Sequence, residues 1–349
     1  MRVTVGEEYV LPVVESVRIQ SDMGTLSDTA VVRLPRYHYR REIRYPDVMK
    51  AGARCDVELG YDGRMRKEFE GWIHNVRVSQ DSVELELEDW MYRMRFVTVP
   101  NGVLERPKTE AIVKHCLTNA DGVSYDCSKG VTVFDKFYFQ DCTAYQGLSK
   151  LQEEGFVDVY FDGRELKVKT PGQTRDNEWD VDYMNCPRYD WGRNIDREGM
   201  SLEFRTELEP PVRVVCFGKD RQGNEHSASV GPAHGDVISH HVRGYPSDEH
   251  LKWTAENIYA RHAYTGYTGS FRSWLEPFVK VGGVVRLPRY VDPWNPGTEA
   301  VYLVTGVETS VDVSGGGVRN ITLGRSFPIN GNGNVEYSNV RDYFKYDKE

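Results

Sequence analysis

Phe69-Glu70-Gly71-Trp72-Ile73-His74-Asn75-Val76 and, one turn later, Ser82-Val83-Glu84-Leu85-Glu86-Leu87 form the stretch on which the fold turns. Apolar and polar residues alternate, strictly so in the second segment, which is how an antiparallel sheet buried on one face is written. Just upstream stand Lys50-Ala51-Gly52 and another alternating strand, Cys55-Asp56-Val57-Glu58-Leu59. About 230 residues further on the same order returns: Lys280-Val281-Gly282, Val284-Val285-Arg286-Leu287, Tyr302-Leu303-Val304-Thr305-Gly306-Val307 and Val318-Arg319-Asn320-Ile321-Thr322-Leu323. Each copy reads as strand, turn, strand with a mid-strand glycine, turn, closing strand. Gly52, Gly71, Gly282 and Gly306 are the glycines expected to mark the repeat. Two copies of one small β-domain point to a scaffold rather than a catalyst.

The 349 residues suit two to four domains, and 39% hydrophobic with 28% charged residues is ordinary for a chain that buries real cores. A formal net charge of −9 argues against a dedicated nucleic-acid binder, since the one basic cluster, Arg36 to Arg44, is short and interrupted by aromatics. No run of eighteen apolar residues occurs, so no membrane insertion is expected. The opening MRVTVGEEYV lacks an apolar core, and no secretory leader is expected. Cys55, Cys116, Cys127, Cys142, Cys186 and Cys216 match no metal or redox spacing and read as free thiols in a reducing compartment.

Residues 1–97 read as the first β-barrel domain, with added strands at Val10 to Gln20 and Thr29 to Leu34 and a tight hairpin at Asp62-Gly63. Residues 98–200 read as an α+β module. Ile112, Val113, Cys116 and Leu117 recur at helical spacing after Thr109, taken as an N-cap, and Thr143-x-x-Gln146 has the form of a capping box opening a second helix. A hairpin over Asp162-Gly163 follows. Residues 201–235 supply strands that complete or link the barrels, around a turn-rich stretch from Gly218 to Gly235. Residues 236–329 form the second β-barrel domain, with one helix capped by Ser247, and 330–349 a mobile tail. The fold class is therefore β-rich α+β, two similar β-barrel domains flanking a smaller α+β module.

Candidates for chemistry are weak. His240-His241, with His226 and His234, form the densest histidine group, but adjacent strand positions face opposite ways and do not share a metal. The acids Glu178, Asp180 and Asp182 near Trp179 admit a glycoside-hydrolysis reading, although a period-two row of acids is more often the wet face of an edge strand. Gly315-Gly316-Gly317 lacks the Lys-Ser/Thr of a phosphate loop and reads as a hairpin turn. Neither G-x-S-x-G nor H-E-x-x-H occurs. No enzyme, cofactor or metal is expected. Arg-Leu-Pro-Arg-Tyr appears at both Arg33 to Tyr37 and Arg286 to Tyr290, out of register with the repeat, as a chance match or a strand-end device in which proline stops the ladder.

Three blocks in order, Gly71 to Asp89, Phe139 to Gly163 and Val279 to Val307, resemble the contractile-phage baseplate hub proteins, including the late control protein D group of Mu-like and P2-like prophages. The likeness extends to the hub part of type VI secretion spike proteins. It implies a structural virion protein of the tail baseplate, assembled in the bacterial host cytoplasm. It further implies a homotrimer whose six β-domains form a pseudo-sixfold ring joining the tail tube protein to a separate central spike protein. DNA would pass transiently through the ring without specific binding, and a net negative lumen would limit adhesion to phosphates. The residues themselves leave two other readings open. One is a carbohydrate-binding or carbohydrate-active β-protein using the 7 tryptophans and 21 tyrosines; the other is an interaction scaffold whose barrels face apart.

Overall fold

The computed structural model of the chain describes residues 1–6, 9–127, 134, 136–169, 186–205, 211–220, 222–242, 246–287 and 300–328. The first β-unit contains β1 (Arg2–Val5), β2 (Ser16–Asp22), β3 (Thr29–Pro35), β4 (Arg54–Tyr61), β5 (Arg64–Val78) and β6 (Ser82–Glu88). Period-two patterning does what it should. Val17 and Ile19, Ala30, Val32 and Leu34, and Val83, Leu85 and Leu87 all face one buried core, while the residues between them face outward. The β4–β5 turn places Asp62 at φ 50° and Gly63 at φ 78°, the pair of positive angles a type I′ turn requires.

The α+β module holds α1 (Thr109–Cys116), α2 (Ala144–Gly155), β7 (Asp158–Asp162) and β8 (Glu165–Lys169) around its own core of Ile112, Phe137, Leu148 and Val159. Thr143 caps α2 with the reciprocal Gln146 bonds of a capping box. Thr109 does not cap α1. Lys108, extended after Pro107, holds that position, and Thr109 is already the first helical residue.

Next come β9 (Ile195–Arg205), then β10 (Val212–Lys219), β11 (Glu225–Val230), β12 (Asp236–His241) and α3 (Asp248–His262). The stretch 201–235 divides between two bodies. Residues 201–205 end β9 in the large sheet, whereas β10 pairs antiparallel with β11 and parallel with β12 in a separate small sheet under α3. Ser247 caps α3 by accepting from the His250 N–H. The second β-unit is completed by β13 (Gly266–Trp274), β14 (Val284–Leu287), β15 (Ala300–Asp312) and β16 (Gly316–Pro328).

Both β-units belong to one large sheet with the path β9-β13-β16-β15-β2-β3-β6-β5-β4-β1, which the short strand Tyr9–Val10 extends beyond β1, and β14 pairs with β15 beside that path. The architecture is β-rich α+β: two similar β-units with a smaller α+β module between them in sequence. Residues 170–185, which hold the Glu178, Asp180 and Asp182 row, and the tail 329–349 lie outside the described residues.

Candidate assembly interface

The repeat can be followed bond by bond. Gly52, at φ +85°, donates its N–H to the Ile73 carbonyl (2.7 Å), and Ile73 donates back to Ala53 (2.8 Å). Gly282, at φ +77°, donates to the Val304 carbonyl (2.9 Å), and Val304 donates back to Gly283 (2.9 Å). Both turns need a left-handed residue, which only glycine adopts without strain. The register also slips at the same step in both copies. Ile73 opposes Leu87 and Asn75 opposes Glu86; Val304 opposes Leu323 and Gly306 opposes Thr322. One residue is extra each time, His74 and Thr305, the signature of a conserved-geometry β-bulge.

This register corrects one expectation. Gly71 lies two residues before Ile73 and Gly306 two after Val304, so the mid-strand glycines are not equivalents. Gly71 exists for close approach: a Cβ there would stand 2.2 Å from the Glu88 carbonyl oxygen and 2.7 Å from the Phe69 ring. Gly306 sits where the two units meet, with Asp22 and Thr322 beside it.

The junction is a β-ladder. β15 runs antiparallel to β2 from Gly306 opposite Asp22 to Asp312 opposite Ser16. Thr309 and Ile19, directly opposed, are 2% and 4% exposed, and Arg18 reaches Glu308 at 2.7 Å on the outward face. β15 thus shares its edge between two strands, β14 before the bulge and β2 after it. β5 has the same bulge with β4 on its first half, but among the described residues nothing pairs with Asn75–Val78 on the side away from β6. At the β9 end of the path, no strand among the described residues pairs with β9 on the side away from β13, which leaves a second open edge.

A second contact joins the units through the interior. Arg319 of β16, 0% exposed, donates to Glu68 of β5 (2.7 Å) and to the Val279 carbonyl (3.0 Å), with the Phe278 ring 4.9 Å from its guanidinium carbon. β16 and β5 are separated in the path by β15, β2, β3 and β6, so the sheet curls until they meet. Burial raises the Glu68 carboxyl above its ordinary pKa, with Arg319 opposing the shift. Tyr61 adds a hydrogen bond to the Gly317 carbonyl (3.1 Å).

The outward face of the sheet carries several ion pairs. Arg77 meets Glu86 (2.7 Å), Arg33 meets Glu15 (3.1 Å) and Arg272 meets Asp196. Peripheral polar groups are structural as well. His226 links Asp220 (3.3 Å) and Asp248 (2.9 Å), tying the β10–β11 turn to the start of α3, and both carboxylates raise its pKa. His240 and His241 pack on opposite aromatic neighbours, Phe156 and Phe217. A cavity of about 350 Å³ between the large sheet and the end of α3 is lined by Arg205, Arg261, His262, Asp22 and Asp158, with Arg261 bonded to Asp158 at 2.8 Å. Burial pushes the Asp158 carboxyl up to about 6.

Sequence reading located the two glycine turns and missed the bulge, the Arg319–Glu68 pair and the open edges. The bulge left no trace in the repeat spacing: both copies carry it, so the offset is the same for Ile73/Val304 as for Asn75/Gly306.

No protein-family model matches the chain, and no curated protein does. Solved structures do. A tail protein from Neisseria meningitidis MC58 is similar at 16% identity and TM-score 0.65, over 93% of this chain and 95% of that one. The 43 kDa tail protein of prophage MuSo2 from Shewanella oneidensis gives 12% and 0.64, over 93% and 98%. A type VI secretion component of E. coli, described as similar to the T4 tail proteins gp27 and gp5, gives 11% and 0.57, over 95% and 78%. At such identities the likeness is one of fold, and the chain has the baseplate-hub-like, β-rich α+β fold of phage tail proteins.

Proposed function

We propose that the chain is a structural hub subunit of a contractile-type tail baseplate and acts without catalysis. Three copies form a homotrimeric ring whose six β-units present pseudo-sixfold symmetry to the tail tube and threefold symmetry to a separate central spike. The observation that carries this reading is the side-by-side placement of two equivalent units in one sheet, with an edge at each end of the repeat that no strand among the described residues covers. A heterologous contact of this kind generates closed rings when its rotation divides a full turn. The fold likeness to tail proteins supports the same reading, under which the protein is a virion tail component assembled in the host cytoplasm.

The outward sheet face, with arginines matched by carboxylates, suits a channel through which DNA passes without specific binding, since paired charges leave little net attraction for phosphates.

Light scattering on a size-exclusion column tests the proposal. The expected mass is three times 40.1 kDa, with six lobes around a central opening in negative-stain images. A monomer at every concentration would count decisively against the ring.

A further inference from the structure

The internal junction predicts its external counterpart residue by residue. The pairings of β13 with β16 and of β3 with β6 fix the equivalences. Gly269 opposes Leu323 as Ala30 opposes Leu87, and Phe271 opposes Ile321 as Val32 opposes Leu85. One strand further out, Leu202 opposes Gly269 as Ile19 opposes Ala30, and Glu203 opposes Thr268 as Gln20 opposes Thr29. Thus β9 corresponds to β2, with Ser201, Leu202, Glu203, Phe204 and Arg205 in the places of Arg18, Ile19, Gln20, Ser21 and Asp22. On the other side the bulge fixes Asn75, Val76, Arg77 and Val78 as the equivalents of Gly306, Val307, Glu308 and Thr309.

Within the chain, β15 and β2 are paired. The equivalents, β5 after its bulge and β9, each lack a strand partner on the corresponding side among the described residues. We infer that the Asn75–Val78 edge of one copy pairs antiparallel with the Leu202–Arg205 edge of a second copy, in the register of the internal junction. This rests on the ring reading and assigns the surface that closes it.

The side chains fit that register. Transferring the internal pairs puts Val78 opposite Leu202, Arg77 opposite Glu203 and Val76 opposite Phe204. Val78 is 49% exposed in the single chain, whereas its equivalent Thr309 is 2% exposed because β2 covers it. Leu202 and Phe204 are likewise only partly covered. Arg77 and Glu203 become directly opposed charges on the outward face, where the internal junction has the Glu308–Arg18 pair. Glu203 has no ionic partner among the described residues, and Arg77 shares Glu86 within its own chain. Phe96, 68% exposed and 5.1 Å from the Tyr92 ring, extends the apolar surface beside the bulge residue His74. Like charges directly opposite across an antiparallel pair are destabilising, which makes the register testable by charge exchange.

The test uses the full chain and its mass in solution. Arg77→Glu and Glu203→Arg should each weaken assembly at least tenfold, and the double exchange should recover most of it. In parallel, Val78→Cys with Leu202→Cys should give covalent oligomers on oxidation that Val78→Cys with Phe204→Cys does not. A wild-type trimer with assembly unaffected by either exchange, or with no recovery in the double variant, overturns the pairing and leaves the ring standing. A wild-type chain monomeric at all concentrations overturns both.

Discussion

Removing the Arg319 side chain tests whether the two β-units are locked through their shared interior. The guanidinium is fully buried and spans Glu68, the Val279 carbonyl and the Phe278 ring. Arg319→Ala leaves the Glu68 carboxylate in a site 9% exposed, with no counter-charge in bonding distance. Breaking one side of such a buried pair costs about 3–5 kcal/mol. Equilibrium urea unfolding at pH 7, followed by tryptophan fluorescence, measures the loss. The pH dependence carries a sign. Burial already raises the Glu68 pKa in the folded chain, and losing Arg319 raises it further. A carboxyl whose folded pKa exceeds its unfolded value binds its proton more tightly when folded, so stability falls as pH rises through that window. The deficit of Arg319→Ala should therefore shrink as pH drops from 7 toward 5. Arg319→Met with Glu68→Leu should come within about 1 kcal/mol of wild type or exceed it, because no unpaired charge remains. A single-variant loss below about 1 kcal/mol, the value of a solvated surface pair, with no pH trend, would refute the lock.

Gly52→Ala and Gly282→Ala should each cost about 1–2 kcal/mol, the penalty for an L-residue in the left-handed region, and unequal losses in urea titrations would show that the two turns are not equivalent. Gly71→Ala should cost more, about 3 kcal/mol or above, since its Cβ meets backbone rather than a flexible chain end; near-normal expression and melting would contradict the close approach. His226, held between Asp220 and Asp248, should titrate above 6.5 by NMR, and its contribution to stability should be present at pH 6 and fade as pH rises past its folded pKa. Asp158→Asn should flatten the stability profile between about pH 4 and the carboxyl's folded value of about 6, where the wild type loses stability as pH rises.

Local signals in the sequence translated directly. Thr143 and Gln146, Asp62-Gly63 and Ser247 each act through bonds within four residues, and each stands where the pattern placed it. Non-local pairing was hidden for a physical reason. The V-R-N-I-T-L strand puts Arg319 on the same face as Ile321 and Leu323; its place in the core depends on Glu68, 251 residues away. The stretch 218–235 reads as turns because Gly218, Gly223, Gly231 and Gly235 dominate it, yet β11 lies between them, held by β10 rather than by its own composition. An edge strand also looks in sequence like a central one, so the open sides of β5 and β9 emerge only from the ladder.

Two junctions of one ring need not be equally strong on their own. The internal β15–β2 ladder joins units of a single chain, and connectivity supplies an effective concentration that no separate copy enjoys. That ladder therefore tolerates modest chemistry, Gly306 against Asp22 and Thr309 against Ile19. The external junction closes only by collision, and its positions are richer: Val78 with Leu202, Val76 with Phe204, and opposed charges at Arg77 and Glu203. Apolar pairs supply strength, while the charges penalise a slipped register. If that division holds, raising salt from 0.05 to 0.5 M should slow ring assembly through screening of Arg77 and Glu203, while unfolding of each assembled chain hardly changes. An assembly rate independent of salt would mean that the edges find each other by shape alone.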